Sequence, residues 1–70
     1  MSPARRFGLN LRIARRLNGI TQEELASRVY LDRCAISRME TGKRYPHLDH
    51  ILEFAAALDV TPSALLHGVG

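Results

Sequence analysis

Two helix-start signals stand eleven residues apart in this chain, Thr21 and Asp32, and a stop signal follows at Gly42. In Thr21-Gln22-Glu23-Glu24 the threonine hydroxyl can accept from the Glu24 N–H while the Glu24 carboxylate reaches back to Thr21, a reciprocal capping box. Asp32 is a strong N-cap, and Gly42 suits the left-handed backbone that closes a helix. Leu25, Ala26 and Val29 supply the inner side of the first segment, and Ala35, Ile36 and Met39 that of the second. Each segment is too short to be stable alone. Together they predict two short helices joined by about three residues, Tyr30 to Asp32: a helix-turn-helix over about 21–41.

The rest of the chain carries the same helical spacing, and the alternation expected of strands is missing. Phe7, Leu11 and Ala14 or Arg15 share one face of a first helix that ends near Asn18-Gly19. After the basic loop Gly42-Lys43-Arg44-Tyr45-Pro46, Leu48, Ile51, Leu52, Ala55 and Leu58 form the stripe of a fourth helix. Phe54, Ala56 and Ala57 make that helix apolar on more than one side, which predicts a central position. Thr61-Pro62 starts a last short helix containing Leu65 and Leu66. The expectation is an all-α, compact five-helix fold, with residues 1–70 as a single domain.

Seventy residues suffice for one small core. No apolar run is long enough to cross a membrane, and the first ten residues lack the apolar stretch of a secretory signal. One cysteine builds no disulfide framework. These features predict a cytoplasmic protein. Its charge is unevenly spread: all ten Lys and Arg lie between Arg5 and Arg44, against four Asp and Glu, whereas from Tyr45 onward there are three acids and no Lys or Arg. A basic first part on an acidic, apolar remainder suggests a polyanion-binding surface.

The second helix of the pair gives that surface a chemistry. Cys34, Ser37, Arg38 and Thr41 recur at i, i+3, i+4 and i+7, opposite Ile36 and Met39, and Arg33 stands in the first turn. Arginine bonds guanine O6 and N7 in a bidentate way, and serine donates or accepts. Such a face is suited to reading bases. A second pair concerns packing. Arg15 lies on the apolar stripe of helix 1 and Glu40 on the inner margin of helix 3. An unpaired charge at either margin costs several kcal/mol, so an Arg15–Glu40 ion pair is expected.

Taken together, "LRIAR" (11–15), "GITQEELA" (19–26), "IS" (36–37), "METGKRYP" (39–46) and "ALDVTPSALL" (57–66) resemble the lambda-repressor-like (Xre-type) helix-turn-helix domain of bacterial and phage transcription regulators. The likeness runs from about Phe7 to His67. Among these regulators, restriction–modification controller proteins are compact dimers, and "LDR" (31–33) is similar to their third-helix start. The resemblance implies base contacts from Arg33, Cys34, Ser37 and Arg38. It implies DNA-backbone contacts from Thr21, Gln22, Arg15, Lys43 and Arg44, and it gives Arg15 and Glu40 the positions of a family ion pair. Two residues depart from the family pattern. Tyr30 stands where glycine is usual, in a turn that tends to need positive φ, and His47 replaces a better helix cap.

Three sharper readings are weaker. Cys34, near two arginines, invites a redox role, but a small contact residue is the simpler one. His47 and His50 lack the further ligands of a metal site, so neither metal nor cofactor is expected. No nucleophile–base pair suggests an enzyme. The expected function is a sequence-specific regulator of transcription, a repressor, binding double-stranded DNA as a homodimer through Val60, Leu65 and Leu66. With the chain ending at Gly70, control is expected from concentration, a partner or parts of a longer protein. The alternative is a protein-interaction module of the same fold, an antitoxin or adaptor with a toxin or other regulator as partner and weakly specific DNA binding.

Overall fold

Four of the five helices begin where a side-chain oxygen accepts a backbone N–H that the helix leaves unpaired. The computed structural model describes all residues, 1–70, and contains α1 (Pro3–Leu17), α2 (Gln22–Arg28), α3 (Arg33–Glu40), α4 (Leu48–Ala57) and α5 (Pro62–Leu65). Thr21 Oγ1 accepts from the Glu24 N–H at 3.0 Å and Glu24 Oε1 accepts from the Thr21 N–H at 3.0 Å, which completes the capping box. Asp32 Oδ1 accepts from the Ala35 N–H at 2.7 Å, and Thr61 caps α5 through the Ala64 N–H at 3.2 Å. His47 makes no side-chain cap for α4. Helix 1 begins at Pro3, four residues before the first apolar anchor, because Ser2 accepts from the Arg5 N–H and Pro3 occupies the first turn.

The helices share one core in which Leu11, Leu25, Ile36, Met39, Phe54 and Leu58 are essentially inaccessible. Burying a side chain of this size contributes about 1.5–3 kcal/mol. Helix α3 packs against both α1 and α2, while α5 packs against α1 and α4. Helices α1, α3 and α5 thus each pack against two others and α4 chiefly against α5, so α4 is less central than its apolar sequence suggests. The buried side of α4 is Phe54, Ala55 and Leu58, with Ile51 partly covered. Leu48 and Leu52 face outward at 69% and 49% exposure. Phe54 fixes that rotation by packing on Phe7, ring centroids 6.4 Å apart.

Helix α1 lies against α3 in the opposite direction. A Cβ at Gly8 would collide with the carbonyl oxygens of Met39 and Glu40, at the end of α3, and one at Gly42 would strike Arg5. The early residues of α1 thus meet the end of α3. Its last turns meet the start of α2, where the Arg15 guanidinium donates to the Ile20 carbonyl.

Of the three residues expected at a dimer surface, one lies inside the protein. Leu65 is only 1% exposed and belongs to the core. Val60 lines a groove of about 650 Å³ between α1 and α5 with Ile13, Leu17 and Ala64. Leu66 lines a separate depression with Tyr45, Pro46 and Ile51.

Candidate nucleic-acid interface

The core side of α3 leaves a definite remainder for solvent. With Ala35, Ile36, Met39 and Glu40 turned inward, Arg33, Cys34 and Arg38 are exposed and Ser37 is half-buried among them. Thr41 shares the spacing but not the availability. Its hydroxyl donates to the Ser37 carbonyl at 2.9 Å, and that geometry turns it back onto its own helix. Cys34 is a free, exposed thiol. The loop after α3 folds back through a Lys43 N–H to Arg38 carbonyl bond of 2.8 Å, which leaves Lys43 exposed and Arg44 half-buried beside the end of the helix.

Arg15 and Glu40 form the brace behind this face. The Arg15 Nε donates to Glu40 Oε2 at 2.7 Å and Nη2 donates to Oε1 at 3.1 Å, a bidentate pair with both residues under 9% exposed. The hydrogen bond to Glu40 pushes the Arg15 pKa above its ordinary value; partial burial opposes the shift and the Glu40 charge adds to it. With Nη1 on the Ile20 carbonyl at 2.9 Å, every nitrogen of the Arg15 guanidinium has a protein acceptor. Three of its five N–H groups are thus held inside the protein, while Arg15 still lines the cleft between α1 and the start of α2.

Gln22 joins the same network. Its Nε2 donates to Glu40 Oε1 at 3.1 Å, so one amide proton is held and the other remains available. Thr21 is exposed next to it, its oxygen accepting in the capping box. These two residues, with Arg12, Arg15, Arg16, Glu23 and Arg33, line a polar cleft of about 510 Å³ where α1 passes the starts of α2 and α3. Arg5 and Arg12 line a second depression with Thr41 and Lys43 at the other end of α3. The sequence reading missed Arg5, Arg12 and Arg16. Their signal was the i, i+7, i+11 spacing on a helix whose core side was already marked by Phe7 and Leu11.

His47 and His50 pack with tilted rings, centroids 5.3 Å apart, and no three His, Cys, Asp or Glu side chains gather as metal ligands. No helix is long and apolar enough to cross a membrane.

Two adjacent helices with a tight turn, the second exposing arginines beside a basic loop, define a helix-turn-helix DNA-binding protein. The helix-turn-helix family profile matches residues 11–65, and the chain belongs to that family, in its Xre-type branch. It is 37% identical over 62 residues to the HTH-type transcriptional activator BcrR of Enterococcus faecalis, covering 89% of this chain but 30% of that protein's length. The restriction-modification controller protein C.AhdI of Aeromonas hydrophila is similar with a TM-score of 0.85 and 40% identity, over 89% of this chain and 90% of that one. The hypothetical transcription factor NHTF from Neisseria gives 0.84 and 36%, covering 90% and 72%. The clp gene regulator ClgR from C. glutamicum shares the fold at 0.92 with 22% identity, covering 96% and 86%.

Proposed function

We propose that this protein reads a specific, near-palindromic operator as a homodimer and represses transcription by occupying it. The observation that carries the reading is the exposed face of α3: Arg33, Cys34 and Arg38 free of intramolecular side-chain hydrogen bonds, with Ser37 between them. Placed in a major groove, Arg33 and Arg38 have the donor geometry for guanine edges, Ser37 suits either kind of base, and Cys34 is small enough for a close contact. Thr21, Gln22, Lys43 and Arg44 would hold flanking phosphates, which sets register without reading sequence.

One eight-residue helix covers few base pairs, so useful discrimination needs two copies on half-sites about one helical turn apart. Leu66 and the outward stripe of Leu48 and Leu52 supply apolar surface that the core does not use. Repression requires only that the bound dimer exclude polymerase from an overlapping promoter. BcrR is described as an activator, and the position of the operator relative to the promoter decides between the two outcomes.

The test is selection of duplex fragments from the source genome at about 150 mM salt, where purely electrostatic binding is much reduced. Enrichment of a short two-fold-symmetric site is the expected result. Binding without enrichment, fading as salt rises, would sink the specific reading. It would favour a protein-interaction module instead, for which the α1–α5 groove with Leu17 at 83% exposure offers a surface.

A further inference from the structure

Helix α1 divides into three faces. Phe7, Leu11 and Ala14 point to the core, Ile13 and Leu17 border the apolar groove, and Arg5, Arg12 and Arg16 occupy the third. At 1.5 Å per residue, those three arginines form a ridge about 16 Å long. All three are exposed, and α1 contains no Asp or Glu. The one ion pair of the molecule is Arg15–Glu40, so no carboxylate lies within 4 Å of the ridge guanidinium groups.

The position of the ridge is more telling than its charge. Arg16 and Arg12 share a cleft with Arg33, the first residue of α3. Arg12 and Arg5 share the next depression with Thr41 and Lys43, just past its last residue. The ridge therefore runs alongside α3, from Arg33 at its start to Thr41 and Lys43 just past its end. Glu23 lines the first depression and Glu40 the second, but Glu40 is engaged by Arg15, so the cations remain in excess and a row of anions with similar spacing would balance them. Beside a helix lying in a major groove, the nearest such row is the sugar–phosphate backbone bordering the groove.

We infer that Arg5, Arg12 and Arg16 form a phosphodiester-binding ridge that clamps one DNA strand along the edge of the groove, making α1 a third DNA-contacting element. This rests on the reading of α3 as the groove-entering helix. The ridge carries no base specificity, and its contribution is affinity, rate of association and salt dependence.

The experiment titrates fluorescent duplexes between about 50 and 200 mM salt with wild type, Arg5→Gln, the double variant Arg12→Gln/Arg16→Gln, and Arg28→Gln as a control on α2, away from the ridge. The probes are the duplex enriched by selection and one of random sequence. The expected result is a log K against log salt slope shallower by about 0.9 for each phosphate that the variant leaves unneutralised. Both duplexes should weaken by the same factor, with the thermal midpoint and the Arg28→Gln slope unchanged. Ridge variants that match wild type in slope and affinity would overturn the inference, and so would a loss confined to the selected duplex. If wild type prefers no duplex, the specific reading of α3 fails. The ridge is then judged on the random-duplex slope alone.

Discussion

Arg15 and Glu40 are 25 residues apart in sequence and meet in a buried, two-pronged ion pair at 2.7 and 3.1 Å. That pair fastens α1 to the end of α3, and through Gln22 it also fixes the first residue of α2. Removing one partner strands the other charge in a largely buried position. Glu40→Ala should therefore cost about 3–5 kcal/mol in denaturant unfolding. Arg15→Met with Glu40→Leu should cost less than either single replacement, because no orphan charge remains. A Glu40→Ala cost under about 0.5 kcal/mol would mean the pair is merely a surface contact.

Tyr30 holds φ at 57°, the left-handed region, with its ring 91% exposed. The backbone cost there is about 1–2 kcal/mol for a residue with a Cβ, and the ring makes no packing that offsets it. Tyr30→Gly should raise stability by roughly 0.5–1 kcal/mol, after allowing for the greater freedom of glycine in the unfolded chain. Tyr30→Ala keeps the Cβ and should bring no such gain. Equal melting temperatures for the two variants would show that the turn is not strained.

Gly8 is required by contact rather than by its own dihedrals. Its missing Cβ leaves room for the carbonyl oxygens of Met39 and Glu40, which are backbone atoms and cannot swing aside. Gly8→Ala should separate α1 from α3 and destabilise by about 2 kcal/mol or more. It should also weaken DNA binding at temperatures where the fold persists, since the separation displaces α3. An alanine variant with wild-type stability would show that the two helices have slack between them.

The Glu24 carboxyl is held below its ordinary pKa of 4.5, chiefly by the backbone N–H of Thr21, then by the Thr21 hydroxyl. Because the folded value is the lower one, this group adds stability above the unfolded pKa, and the contribution is lost as pH falls through the folded value. Glu24→Gln should therefore narrow the gap in thermal midpoint between neutral and strongly acidic solution, roughly pH 7 against pH 3. An unchanged gap would show that the capping box contributes nothing to acid sensitivity.

The legible parts of this chain are those decided within a few residues. Thr21, Asp32 and Thr61 each cap the helix that follows because a cap needs only its own turn. Ser2-Pro3 carries the same local signal as Thr61-Pro62, and it could have placed the start of α1 four residues earlier. The Arg15–Glu40 pair was legible for another reason, since a charge on an apolar stripe demands a partner. What sequence could not fix was rotation. Leu48 and Leu52 fit an apolar stripe as well as Phe54 and Leu58 do, and only the contact of Phe54 with Phe7 selects between them. Near the end of α1 the same ambiguity has functional weight. Arg12, Arg15 and Arg16 lie within five residues and all reach the cleft, yet a turn of about 100° per residue buries Arg15 and leaves the other two exposed.

Arg38 and Lys43 separate sequence reading from simple attraction. Both are exposed cations at the end of α3, but Arg38 projects from the helix beside Ser37 while Lys43 stands in the loop beyond it. If Arg38 meets a base edge, Arg38→Ala should cost about 1–3 kcal/mol on the selected operator. It should do so by relaxing preference at one base pair of each half-site, with little effect on random DNA. Lys43→Ala should weaken operator and random duplexes alike and flatten the salt dependence by the equivalent of about one phosphate. Repeating the duplex selection with each variant decides the matter. An Arg38→Ala variant that enriches the wild-type site unchanged would move Arg38 to the phosphate backbone. The reading of bases would then rest on Arg33, Cys34 and Ser37.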